Sequence, residues 1–118
     1  MRFTVSSTAL SNKLVALSRV INSKNALPIL GDFVFDINGQ TLRLTASDSE
    51  NTMQTTVELA GSDGDGRFAI GNHDLLEAVK GFSEQPITFD VDQTANIAKI
   101  SYQNGLFSLP VENADEYP

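Results

Sequence analysis

The hydrophobic positions of this chain fall into one series of patterns, and the series occurs twice. Arg2-Phe3-Thr4-Val5 alternates at the two-residue period of a strand, and so does Arg67-Phe68-Ala69-Ile70. A helix-like stretch follows each. Phe33-Val34-Phe35-Asp36-Ile37 then matches Ile87-Thr88-Phe89-Asp90-Val91, and each leads into two more short strand patterns. A repeated strand–helix–three-strand order predicts one pseudo-symmetric α+β domain with two helices and about eight strands. Domains of that kind present surfaces rather than deep pockets.

In the first unit, Leu10, Leu14, Leu17 and Ile21 recur at helical spacing, so a helix starting at a Ser7 or Thr8 cap is predicted to run to about Ile21. Its outer face carries Asn12, Ala16 and Arg19, with Lys13 on the flank. Asn22 to Asn25 reads as a polar loop, and Pro28 forces Leu27 into extended geometry. Asn38-Gly39 signals a hairpin between Phe33–Ile37 and the Leu42/Leu44 strand. A polar turn at Ser47–Asn51 precedes a strand from Met53 to Leu59, with Met53, Thr55, Val57 and Leu59 on one side. Gly61-Ser62-Asp63-Gly64-Asp65-Gly66 reads as a connector between the units.

In the second unit, Asn72 is the predicted cap of a helix to Lys80, with Gly81 as a left-handed stop. Leu75, Leu76, Val79 and Phe82 face inward, while His73, Glu77 and Lys80 share the outer face. Strands are predicted at Ile87–Val91, Ile97–Tyr102 and Leu106–Val111, with turns at Asp92-Gln93-Thr94 and Asn104-Gly105. The last residues, Glu112 to Pro118, are acidic and aperiodic.

Composition narrows the chemistry. One domain of 118 residues is long enough for its own core, and it has no cysteine for a disulfide, a thiolate nucleophile or a zinc–thiolate site. That favours a reducing, cytoplasmic setting, and no stretch reads as a signal peptide or membrane span. The net charge of −7 repels nucleic acid on average, so any contact with it must come from a locally basic face. Of the eight basic residues, Lys13, Arg19, Lys24 and Lys80 sit on the two helices or the loop after the first. If the helices pack side by side, these four form a face suited to weak, sequence-independent tracking of phosphates. Lysines on the wet side of helices give the same pattern with no function attached.

Catalytic signals are thin. His73, the single histidine, has no serine or cysteine placed to form a nucleophile–base pair. Asp48 and Glu50 lie in a turn without the apolar surround that shifts a pKa. Asp63-Gly64-Asp65-Gly66 resembles a calcium loop but lacks its later ligands, and no phosphate-binding glycine motif is present. No cofactor and no metal are expected.

The ordered set Met1-Arg2-Phe3-Thr4-Val5, Ala26-Leu27-Pro28-Ile29-Leu30-Gly31, Leu44-Thr45-Ala46-Ser47-Asp48, Phe107-Ser108-Leu109-Pro110 and Ala114-Asp115-Glu116-Tyr117-Pro118 resembles the N-terminal domain of the bacterial DNA sliding clamp, the β subunit of DNA polymerase III. The resemblance runs along the whole chain. It implies a sliding-clamp domain, residues 1–118, as the first of three in a chain that pairs head to tail into a ring around double-stranded DNA. Helices line the hole of such a ring and sheets form its outside. The implied partners are DNA read without sequence preference, the polymerase and the clamp loader; the implied role is non-enzymatic processivity. By resemblance, Lys24 and Lys80 fall at basic, DNA-facing positions, whereas Lys13 and Arg19 are placed there by helical geometry. The Leu106–Leu109 strand corresponds to the edge that meets the neighbouring subunit, with Phe107 and Leu109 as its apolar contacts. The pocket for clamp-binding peptides belongs to the family's later domains. Two other readings compete: a stand-alone β-rich module that binds a protein through an exposed strand edge, and a hydrolase using Asp48, Glu50 or His73.

Overall fold

The structure, a computed structural model, describes residues 1–21, 31–48 and 50–117. Its elements are β1 (Arg2–Ser6), α1 (Ser7–Ser18), β2 (Asp32–Asn38), β3 (Thr41–Ser47), β4 (Thr52–Glu58), β5 (Gly61–Asp63), β6 (Gly66–Gly71), α2 (Asn72–Val79), β7 (Pro86–Asp92), β8 (Ile97–Tyr102), β9 (Gly105–Glu112) and a 3₁₀ turn at Ala114–Glu116. The strands form one antiparallel sheet in the order β4-β3-β2-β6-β9-β8-β7-β1-β5. The predicted α+β architecture is therefore present, with nine strands among the described residues against about eight expected. The extra strand, β5, lies in the glycine–aspartate connector.

The two units exchange their first strands. β1 pairs with β7 of the second unit, and β6 pairs with β2 of the first. The last strand of each unit bends across as well. β9 runs along β8 from Gly105 to Pro110, then meets β6 at Val111 and Glu112. β4 runs along β3, and after Leu59 and Ala60 the chain resumes as β5 beside β1. The Ala60 N–H donates to the Thr4 carbonyl at 2.9 Å. The two ends of the strand order are thus two residues apart in the chain, and the sheet curls nearly shut on itself.

Four phenylalanines fill its centre. Phe3 faces Phe89 across β1–β7 with ring centroids 4.8 Å apart, and Phe35 faces Phe68 across β2–β6 at 5.1 Å. These two pairs are equivalent under the repeat and touch each other, Phe35 to Phe89 at 5.7 Å. All four are buried, as are Leu10, Leu14 and Leu17 of α1 and Leu75 and Val79 of α2, which close the core from the helix side. A smaller cluster of Val34, Ala69, Ala114 and Tyr117 fastens the C-terminal turn to the opposite sheet face.

Several local expectations shift. α1 ends at Ser18, and Val20 and Ile21 continue only through bonds to Leu17 and Ser18 carbonyls, three residues back. α2 ends likewise, with Phe82 N–H on the Val79 carbonyl. Gly81 is not a left-handed stop, because that tightened turn satisfies the end carbonyls; only Gly39 and Gly64 take a positive φ among the described glycines. The cap of α1 is Ser6, whose hydroxyl accepts from Ala9 N–H at 3.2 Å. Gly71 occupies the cap position of α2, and Asn72 instead donates its side-chain amide to the Gly31 carbonyl. Asn38 pairs with Thr41, so the first hairpin turn is Gly39-Gln40, one residue later than expected. Tyr102 pairs with Gly105, which makes the last turn Gln103-Asn104.

Candidate nucleic-acid interface

α1 and α2 lie against each other, with α1 also over β1, β3 and β4 and α2 over β6. Burial of the leucine stripe aims the opposite side of α1 at solvent. Asn12, Lys13, Val15, Ala16 and Arg19 are exposed there. Lys13 and Arg19 have no ion-pair partner among the described residues. On α2 the exposed residues are His73, Asp74, Glu77 and Lys80. Lys80 Nζ donates to Glu77 Oε1 at 2.8 Å, with both side chains about half exposed. The hydrogen bond and charge of Lys80, then the charge of His73, hold the Glu77 carboxyl below its usual pKa. The spacing of three between Glu77 and Lys80 anticipates that pair. Its effect is that α1 presents two cations and no acid, while the cation of α2 is held by a carboxylate.

Lys13 lies on α1, and Arg19 and Lys80 occupy the cap positions that end α1 and α2; Lys24 and the Ala26–Leu30 stretch lie outside the described residues. The helix starts are tied to the opposite units. The hydroxyls of Ser6 and Thr8 donate to the Glu84 carboxylate, with contacts of 2.7 to 2.9 Å, and the Ser7 hydroxyl donates to the Ser83 carbonyl at 3.0 Å. These bonds and the nearby N-terminus of α1 favour ionised Glu84, whose pKa falls below the usual carboxylate range. The Asn72 bond to Gly31 is the counterpart for α2.

The proposed interface strand is half-partnered. β9 has β8 on one side from Gly105 to Pro110, and its other edge over those residues has no strand partner among the described residues. Leu106 is 59 % exposed on the outer face. Phe107 and Leu109 point inward and are half-buried against the core. Phe107 also packs with Tyr102 and Phe82, at 5.9 and 6.4 Å. β4 is the equivalent edge of the first unit, paired only with β3 among the described residues.

The residues weighed for hydrolysis form no catalytic pair among the described residues. Asp48 is partly exposed, and its Oδ1 accepts the Glu50 and Asn51 N–H groups at 2.8 and 2.7 Å, which lowers its pKa and makes it a poor general base. No hydrogen bond joins it to His73 among the described residues. Asp65 is spent on the Gly39 N–H at 2.9 Å. No group of three or more metal-binding side chains is present among the described residues, and no helix there is long and apolar enough to cross a membrane.

Sequence reasoning missed one titratable site. Asp32 on β2 is half-buried where β2, β6 and β9 meet, and its pKa is pushed up to about 7 by burial, then by the neighbouring Glu112 carboxylate. The Tyr117 hydroxyl is buried close by, and burial raises its pKa too. No local signal marks this group, because Asp32 and Glu112 come from opposite ends of the chain.

One curved antiparallel sheet built by two interlocked strand–helix–three-strand units, with both helices packed together, defines a DNA-clamp domain. The chain belongs to the family of the DNA polymerase III beta subunit, N-terminal domain, whose pattern matches residues 1–118. It is 26% identical to the beta sliding clamp of Haemophilus influenzae and 32% identical to the beta sliding clamp homolog GriR of Streptomyces muensis, covering 100% of this chain but 32% and 31% of those proteins. Among solved structures, the Helicobacter pylori beta clamp bound to a DNA ligase peptide superposes with a TM-score of 0.91 at 25% identity, over 100% of this chain and 32% of that one. The DNA polymerase III subunit beta of Pseudomonas aeruginosa gives 0.90 at 24%, over 100% and 31%. The chain therefore spans about a third of the length of these relatives.

Proposed function

We propose that these residues form the first of three domains of a non-catalytic, DNA-encircling processivity clamp that acts in the cytoplasm. The observation that carries this reading is the pair of packed helices, which exposes Lys13, Arg19 and Lys80 along the helix layer of a net acidic protein. Diffuse positive charge attracts duplex phosphates without reading bases, and weak screened contacts leave the ring free to slide. Topology, rather than affinity, then holds the polymerase to its template. Lys24 is a fourth DNA-facing cation in this reading. The open edge of β9, with Leu106, Phe107 and Leu109, joins the neighbouring subunit of a homodimeric ring, and family membership favours that use over a stand-alone edge-binding module. The ligase peptide on the H. pylori clamp supports a role in gathering DNA-processing partners, which here include the polymerase and the clamp loader.

The test is retention of the full-length clamp on circular duplex DNA over a salt series. Lys13→Ala/Arg19→Ala is expected to shorten retention and to flatten the salt dependence by roughly one unit of log–log slope per lost phosphate contact. Lys24→Ala and Lys80→Ala should act in the same direction. Wild-type retention and salt slope in all of these variants, with the fold intact, would reject the assignment.

A further inference from the structure

The two helices of the proposed DNA face are equivalent in the fold but not in charge. Lys13 and Arg19 of α1 are exposed with no carboxylate bound to either among the described residues. α2 carries one cation, Lys80, and two exposed acids, Asp74 and Glu77. Asp74 lies in the first turn of α2, where a carboxylate stabilises the positive end of the helix. Glu77 has no such use. It sits mid-helix, four residues after His73 and three before Lys80, and it accepts the Lys80 ammonium at 2.8 Å.

An exposed pair of this spacing adds little to folding. Its main consequence is for a third party. A phosphate approaching Lys80 must displace the Glu77 carboxylate or accept its repulsion, while a phosphate approaching Lys13 or Arg19 meets neither. Glu77 is ionised at any pH near neutrality, so this competition is permanent.

We infer that Glu77 is a built-in counter-charge that holds Lys80 back from phosphate, so that duplex DNA is contacted chiefly through α1 while α2 acts as a weakly attractive wall. The inference rests on the DNA-facing reading and adds a polarity to it. A domain that grips from one helix rather than two contacts the duplex at fewer points, which keeps the barrier between successive positions low. Glu77 is then a residue that tunes mobility while touching no DNA.

The experiment is a titration of a short duplex DNA into the full-length clamp at low salt, following the backbone amide shifts of α1 and α2. Wild-type protein should show its larger shifts along α1 around Lys13 and Arg19, with small shifts around Lys80. Glu77→Gln keeps the length and helix preference of the side chain and is expected to bring the α2 shifts up to those of α1. Binding should tighten roughly two- to fivefold, the range an exposed ion pair spans. Adding Lys80→Ala to Glu77→Gln should abolish that gain. Equal shifts on both helices in the wild type, or no change at α2 in Glu77→Gln, would overturn the counter-charge while leaving the DNA face intact. Absence of shifts on either helix in every variant would overturn the DNA-facing reading itself, and this inference with it.

Discussion

The first and second units share a backbone plan yet treat their equivalent positions differently. Phe3 and Phe35 of the first have counterparts in Phe68 and Phe89 of the second, and both facing pairs stack about 5 Å apart. Each helix ends in the same tightened turn, and each helix start is held by the loop of the other unit. Outside the core the likeness stops. Ser6 caps α1 through its side chain, whereas Gly71 gives α2 none. Asp32 opens β2, whereas Pro86 opens β7. The α1 surface is cationic, whereas the α2 surface sets one cation against two acids. Close packing constrains the shared interior, where a change on one side is felt by the ring opposite. Solvent imposes no such match, so surface charge and capping drift between the units or take on separate tasks.

The largest test of this comparison removes one ring from each pair. Phe89→Ala and Phe68→Ala should each lose about 3–5 kcal/mol of stability by urea unfolding, and by similar amounts, because each opens a cavity in an equivalent setting. A wide gap between them would mean that the repeat is a likeness of backbone only.

Asp32 provides a smaller test. Its carboxyl has a folded pKa of about 7 against an ordinary value of 3.8, so its contribution is fully present below about pH 4 and is lost as pH rises through 7. Asp32→Asn should therefore flatten the loss of stability between about pH 4 and pH 7. At the upper end it should stabilise by about 1–2 kcal/mol, reduced from the full linkage value because the group is only half-buried. An unchanged pH profile would remove the Asp32–Glu112 contact from the account. The second unit, with Pro86 in the matching place, supplies no such dependence.

The smallest effects concern the helix starts. Ser6→Ala should lower stability by about 1 kcal/mol, through the lost cap and the lost bonds to Glu84. Gly71→Ser should raise it by a few tenths. Gly71 has a φ of −58°, and a Cβ there would meet Asp32 Oδ1 at an ordinary 3.8 Å. Thermal midpoints moving the other way would show that the two caps are not comparable.

Most elements were legible in the sequence because their burial is periodic. Leu10, Leu14 and Leu17 mark α1, and Phe33, Phe35 and Ile37 mark β2, from local spacing alone. β5 was not legible, because Gly61-Ser62-Asp63 has no apolar alternation; it is a strand only because the Arg2–Thr4 edge of β1 needs a partner. The exchange of first strands was hidden for a related reason, since a strand pattern states which face is buried and not which strand lies beside it. At the candidate site, the charges and the Glu77–Lys80 pair followed from helical spacing. The Asp32–Glu112 contact needed the fold, since its partners meet only when β9 reaches β6.

The placing of β1 also has a consequence in time. Its residues leave the ribosome well before either of its neighbours, β5 and then β7, the latter roughly eighty residues later. The strand must wait, with Phe3 and Val5 uncovered, while the rest of the first unit is synthesised. Long-range pairing of this kind slows folding and leaves sticky edges open meanwhile. For a nascent chain of this design, β1 is made before both of its neighbours and is among the last elements to find its place.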